Sequence, residues 1–308
     1  MNHLKIVIVI SCILAATMLS GCVVDETGDE FTIYVDSKGT KEYTSIQEAI
    51  DNAPENYTVF VYAGTYYENI YINKSVDLKG QDKLTTIIDG NNTDDVIFVD
   101  KGGRVNISGF TIQNSGPNEY SGNDAGIEIT SDNNNIMDTI LYNNTIGIYT
   151  SYSDYNIFKQ NLLDSNKKYG MYLYTATDYA ITTENTFINN YCGLRIKGST
   201  HNNVTKNIFK DNDEGMYFCC GARLNKVSHN TFLNNSIWNG NDYVGGNEWD
   251  AGYPTGGNYW DDYNGVDMYS GSDQNMTGAD GIGDNAYNVT TDGSKIDNYP
   301  LIEPIVTP

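Results

Sequence analysis

The chain has 308 residues, with 40 Asp and Glu against 18 Lys and Arg, for a net charge of −22. A surface this acidic repels phosphate backbones and anionic headgroups, so nucleic acid is excluded as a partner and cations are the natural counter-charges. With 25 Tyr, 30 Gly and only 6 Pro, the composition suits many short strands joined by tight turns.

The N-terminus reads as an address label. Lys5 precedes an apolar run from Ile6 to Leu19, too short for a stable span, and Leu19-Ser20-Gly21-Cys22 follows. This stretch resembles the lipobox of secreted lipoproteins, which implies a signal peptide over 1–21, lipidation of Cys22 and an acidic tether over 22–30. The expected location is extracytoplasmic, with the membrane as a partner through the lipid anchor. Nine N-x-S/T sequons, at Asn56, Asn73, Asn91, Asn106, Asn143, Asn203, Asn234, Asn275 and Asn288, permit glycosylation of an exported chain. Cys192, Cys219 and Cys220 allow at most one disulfide among themselves.

Residues 43–53 place Ile46, Ala49, Ile50 and Ala53 on one helical face, with Thr44 and Gln47 spaced as a capping box. Alternating strands with glycine turns follow over 57–80 and 85–90. A hexad then recurs as Asp138/Ile140/Asn143, Asn161/Leu163/Asn166, Asn185/Phe187/Asn190, Asn207/Phe209/Asn212 and Asn230/Phe232/Asn235. Gly-apolar pairs at 126, 147, 170, 193 and 215 keep the same period. Fixed-period similarity signals a solenoid. No run carries the helical period that helical repeats require, and the short alternating pieces are strands. The expected fold is all-β, a right-handed single-stranded parallel β-helix over 31–245, with a short N-terminal capping helix and an irregular C-terminal cap over 246–308. Recurrent Asn is expected at left-handed turn positions and in stacks inside the solenoid. Trp238, Trp249, Tyr259 and Trp260 are expected to cover the last coil.

The opening coils, YTSIQEAIDNAP and VFVYAGTYYENIYINKSVDLKG, resemble those of pectin-lyase-like β-helices. The hexad coils, with GGNYWDDYNG, ADGIGD and DNYPLI near the C-terminus, resemble the NosD-like, carbohydrate-binding and sugar-hydrolase (CASH) group of surface proteins. That resemblance fixes fold far better than activity.

If the residue after each repeat glycine points inward, the next points out. The outward row is then Glu128, Tyr149, Tyr172, Arg195 and Tyr217, and two residues on it is Thr130, Ser151, Tyr174, Lys197 and Cys219. Tyrosine rings against sugar faces, with Arg195 and Lys197 for uronates or sulfates, make a candidate binding track. The leading expectation is a surface lipoprotein that binds polysaccharide or cell-envelope glycan, or serves as an envelope component, without catalysis. The alternative is a uronate-polysaccharide lyase, with Glu128, Arg195 and Lys197 as catalytic candidates. Gly193 to Lys197 also resembles the G-x-R-I-K strand of polygalacturonases. Those hydrolases need clustered aspartates and a Gly-His-Gly, whereas only Glu128 lies on the row, so glycoside hydrolysis is not expected.

Metal handling is the third reading. The soft donors Cys192, Cys219, Cys220, Met171, Met216, His201 and His229 carry no metal-binding spacing, and copper is not expected. Calcium has a partial loop pattern in Asp273, Asn275, Thr277, Gly278 and Asp284, with Asp280 where an apolar residue is usual.

Overall fold

Short-range alternation sets the architecture. In the strand Thr186–Ile188, Phe187 is fully buried between two half-exposed neighbours, and the core residue recurs at Leu163, Phe209 and Phe232. The computed structural model describes residues 31–117, 123–290 and 292–305. The expected signal peptide, Cys22 and the tether lie outside the described residues.

Three parallel sheets of nine, eight and nine strands are built from strands that mostly recur three apart in sequence, as in the expected right-handed parallel β-helix. The first sheet runs from Thr32–Val35 to Lys226–Ser228. The second runs from Ile70–Ile72 to Trp238–Asp242, and the third from Gly64–Tyr67 to Tyr259–Trp260. Inside, identical side chains stack at the spacing between coils. Phe187, Phe209, Phe232 and Trp260 lie ring on ring at 4.7, 4.8 and 4.4 Å, within 9° of parallel.

Polar ladders flank this aromatic stack. Asn161, Asn185, Asn207 and Asn230 each donate a backbone N–H and a side-chain Nδ2 bond to the Oδ1 of the next Asn, at 2.9–3.0 Å, and the ladder ends at Asn258. A second ladder joins Asn166, Asn190, Asn212 and Asn235. Buried turns without such partners would leave backbone N–H groups unpaired. The left-handed position is not the ladder Asn, as expected, but the residue before it: Gln160, Glu184, Lys206 and His229 have φ of 57–58°. The following Asn bonds fix these turns despite unfavourable residue types.

The first hexad shifts by one. Leu141, not Ile140, is buried, and Thr139 and Asn144 occupy the ladder positions. Asp138 and Asn143 are instead the left-handed residues ahead of them.

At the N-terminal end the helix Ile46–Asn52 buries Ile46, Ala49 and Ile50. Its cap is Ser45, whose hydroxyl accepts from Glu48 N at 3.3 Å, rather than the Thr44–Gln47 box. The Glu68 carboxylate takes Ile46 N, Gln47 N and the Ser45 hydroxyl at 2.9 Å each, which satisfies the orphan donors of the first turn from outside the helix. At the other end Trp249 and Trp260 are buried on the last coil as expected. Trp238 and Tyr259 are not part of that cover. Trp238 pairs with Glu214 on the outer side of the second sheet, and Tyr259 pairs with Thr231, because strand alternation turns both away from the interior.

Candidate functional site

The second sheet carries more outward side chains than simple alternation allows. In Tyr169–Tyr174, both Gly170 and Met171 turn inward, so Tyr169, Tyr172 and Tyr174 all reach the outer side. A Cβ on Gly170 would lie 2.6 Å from Gly193 O and 2.9 Å from the Phe187 ring, so only glycine fits this bulge-like step. Stacked coils then give three outer columns. One is Ala125, Ile146, Tyr169, Cys192, Glu214 and Trp238; the next is Glu128, Tyr149, Tyr172, Arg195 and Tyr217; the third includes Ser151, Tyr174, Lys197 and Cys219. The two expected rows are present in register. The Tyr169 column is additional, and its signal was the residue before each repeat glycine.

Within this face the tyrosines tile against one another. Tyr149 and Tyr172 are 5% and 7% exposed, so they support the surface, while Tyr169, Tyr174 and Tyr217 stay half-exposed. Ring centroids are 4.8 Å apart for Tyr169–Tyr172 and 5.4 Å for Tyr172–Tyr174. Burial pushes the Tyr149 phenol up to about 12, and those of Tyr169 and Tyr172 also rise through burial. All three are neutral hydrogen-bonding groups at physiological pH.

Arg195 sits in an aromatic cage. Its guanidinium lies 5.3, 5.4 and 5.3 Å from the ring centres of Tyr169, Tyr172 and Tyr217. It donates to the Tyr169 hydroxyl and, at 3.5 Å, to Cys219 Sγ, and its Nε is buried without a partner. Lys197 Nζ lies 5.1 Å from the Tyr174 ring centre. Among the described residues neither cation forms a salt bridge with a carboxylate. Such cages hold a cation while leaving charge unspent.

A carboxyl pair occupies the N-terminal part of the same face. Asp95 and Glu128 are close enough that burial, together with the neighbouring Glu128 charge, pushes Asp95 up to about 8; Glu128 also rises, chiefly through burial. Ala125 N donates to Asp95 Oδ1 at 2.6 Å. Tyr71 and Phe98 continue the Glu128 column on the far side, 5.7 Å ring to ring. The acid pair therefore has aromatic residues on both sides. Glu128 is not the isolated acid the sequence suggests, and the coil that carries Asp95 lacks the Gly-apolar marker that would align the two.

The sequence model of the family described as "Periplasmic copper-binding protein (NosD)" matches residues 50–265. The chain belongs to the NosD family. The cell surface glycoprotein of Methanothermus fervidus is 28% identical over 280 residues, covering 63% of this chain and 47% of the glycoprotein. The chain thus spans about half the length of that curated relative. Among solved structures, rice weevil pectin methyl esterase is 16% identical with a TM-score of 0.44, covering 76% of this chain and 73% of the other. Carrot pectin methylesterase is 14% identical with a TM-score of 0.40, covering 72% and 88%.

The donors of this NosD-family chain do not fit a copper centre within the described residues. Cys192 stacks on Glu214, and Cys219 stacks on Lys197. Met171 and Met216 are in the core, His201 stacks on Tyr179, and His229 Nε2 meets Thr255 O at 2.7 Å. The three cysteines are free thiols. Among the described residues, no three His, Cys, Asp or Glu side chains come together as a metal cage.

The tail residues weighed for calcium lie in and around an antiparallel hairpin. Thr277 pairs with Tyr269, and Asp273 and Asn275 are exposed. Asp284 accepts from Met268 N and Tyr269 N, and Asp280 accepts from Ile282 N at 3.1 Å.

Proposed function

We propose that this NosD-family chain is an extracytoplasmic surface protein whose second-sheet outer face binds polysaccharide without turning it over. One observation carries the reading: Arg195 and Lys197 stand among tyrosine rings on a continuous face, with no salt bridge to a carboxylate among the described residues. A cation held by aromatic faces keeps hydrogen-bonding capacity for a uronate or sulfate, and half-exposed tyrosines offer surface for sugar C–H groups. The similarity to a cell surface glycoprotein supports the location, and lipidation of Cys22 belongs to the same proposal.

Glycan-array binding followed by calorimetry with acidic and neutral oligosaccharides tests it. Binding of the acidic set, weakened at least tenfold in Arg195→Ala and Lys197→Ala with the fold retained, is the expected result. Unchanged affinity in both variants sinks the assignment of this face.

The Asp95–Glu128 pair favours a second reading, a polysaccharide-cleaving enzyme in which one carboxyl stays protonated beside an ionised partner. New reducing ends or unsaturated-uronate absorbance, abolished by Asp95→Asn, would move the assignment to it. The family's descriptive name refers to copper, so a stoichiometric copper titration discriminates the metal-handling alternative. Calcium at the acidic tail is carried as part of the proposal, and a rise in melting temperature that Asp273→Asn removes is its test.

A further inference from the structure

We propose that Asn203 carries an N-linked oligosaccharide seated in the cleft between the first sheet and the C-terminal cap. The inference rests on the extracytoplasmic part of the reading above and not on the tyrosine face. Asn203-Val204-Thr205 is a sequon, and it lies within a strand. Strand alternation buries Val204 and sends Asn203 and Thr205 to the same outer side. That side is one wall of a cleft of about 830 Å³, and cap residues on either side of Glu248 and Ile296 form the other.

The lining suits carbohydrate. Thr205, Ser228 and Thr255 bring hydroxyls, Glu248 and Asp250 bring carboxylate acceptors, and Lys295 brings a cation, while Lys226 pairs with Glu248 at 3.5 Å and Asn298 Nδ2 donates to Asp250 at 2.8 Å. Among the lining residues Trp249 is the large aromatic and is only 2% exposed, so the cleft offers hydrogen bonds rather than the apolar wall typical of small-molecule sites.

The Asn203 amide is also free. It is exposed, and its side chain has no hydrogen-bond partner among the described residues. Three other sequon amides are spent: Asn106 Nδ2 donates to Asp77 at 2.5 Å, Asn143 Nδ2 to Asn114 at 2.7 Å, and Asn234 Nδ2 to Asp211 at 2.5 Å. Glycosylation at those three positions disturbs an existing bond, whereas at Asn203 it disturbs none. The reaction joins Asn203 Nδ2 to the anomeric carbon of a sugar. The amide loses a proton, and the phosphate of a lipid-phosphate-linked oligosaccharide donor leaves. Because the cleft walls come from both sheet and cap, the seated glycan ties the two together.

Glycopeptide mass spectrometry of the full chain, recovered from the envelope fraction of its source cells, tests the site. The expected result is a hexose-containing increment on the Asn203 peptide, lost in Thr205→Val and kept in Thr205→Ser. Seating predicts that an N-glycan amidase removes this glycan slowly from the native protein and rapidly after denaturation, and that removal lowers the melting temperature. A bare Asn203 peptide in exported protein overturns the inference and leaves the tyrosine-face reading standing. Equal removal from native and denatured protein overturns the seating. Recovery of the chain only from the cytoplasm overturns the location and this inference together.

Discussion

Replacing Asn207 tests whether the amide ladder holds the solenoid. Its Oδ1 accepts the backbone N–H and the Nδ2 of Asn185 at 3.0 Å, and its own Nδ2 reaches Thr182 O at 2.8 Å and Asn230 Oδ1 at 3.0 Å. In Asn207→Ala the buried Asn185 N–H loses its acceptor, at about 1–3 kcal/mol. The bonds to Thr182 O and Asn230 Oδ1 add about 1 kcal/mol each, for an expected loss of roughly 3–5 kcal/mol. Asn207→Asp separates the parts of that sum. It keeps an acceptor for Asn185 but sets a buried anion against Thr182 O and Asn230 Oδ1, so at neutral pH it destabilises more than Ala. Burial raises the pKa of this new carboxyl above its unfolded value. Its penalty is therefore absent below the unfolded value of about 4 and grows as pH rises; at low pH the neutral acid keeps the Asn185 acceptor and is more stable than Ala, so the two curves cross as pH rises. Urea unfolding followed by circular dichroism across pH reads both. A loss under about 1 kcal/mol for Ala, or an Asp variant that tracks Ala at every pH, refutes the ladder's role.

Gly193→Ala should cost about 1–3 kcal/mol in the same assay, because its Cβ would lie 2.6 Å from the backbone oxygen Gly215 O. Trp260→Ala removes a ring stacked 4.4 Å from Phe232 and 4.3 Å from Tyr287, so a loss of about 3–5 kcal/mol and faster hydrogen exchange in the last coils are expected. Asp95 has a folded pKa raised to about 8 from 3.8, so its contribution is complete below pH 3.8 and is lost as pH rises through 8. Melting temperature should therefore fall over that window less steeply in Asp95→Asn than in the parent chain; equal slopes would discount the carboxyl pair.

The coil period, the Gly-apolar marker and the alternation around Phe187 and Phe209 were legible because each follows from burial, which acts on residue type directly. The Arg195 row was legible for the same reason, since one inward residue fixes its outward neighbour. Other features depend on partners a full coil away. Gln160, Glu184 and Lys206 are poor left-handed residues, held there by the bonds of the following Asn and by backbone bonds to the next coil at Gln160 and Glu184. The slip at Thr139 arose because a hydroxyl substitutes for an amide in the ladder and so hides the hexad. Tyr169 reaches the outer face only through the double inward step at Gly170, which a period of two does not anticipate. The helix cap was misplaced by one residue, as Glu68 from a later strand supplies much of what a local box would.

The ladders also assign a task to the C-terminal cap beyond covering apolar rings. Each Asn donates toward the next coil, so the last Asn of a ladder presents donors and needs an acceptor that asks for none in return. Asn258 N finds Asp297 Oδ2 at 2.7 Å. The second ladder continues from Asn235 to Asn239, which donates to Asp261 and Asp262 at 2.9 Å. A third, Asn202 to Asn225 to Asn247, reaches Asp242 Oδ2 at 3.1 Å. Three aligned amide chains thus end on carboxylates, as a helix N-terminus does on an acidic cap. With the spine closed at its end by carboxyl acceptors and by tryptophan, the inward residues and ladders set the coil path independently of which side chains point outward. That independence lets one coil carry Tyr172 and Tyr174 and the next Arg195 and Lys197 on the same backbone path, and it is why the chemistry of the face must be read from those columns and not from the repeat.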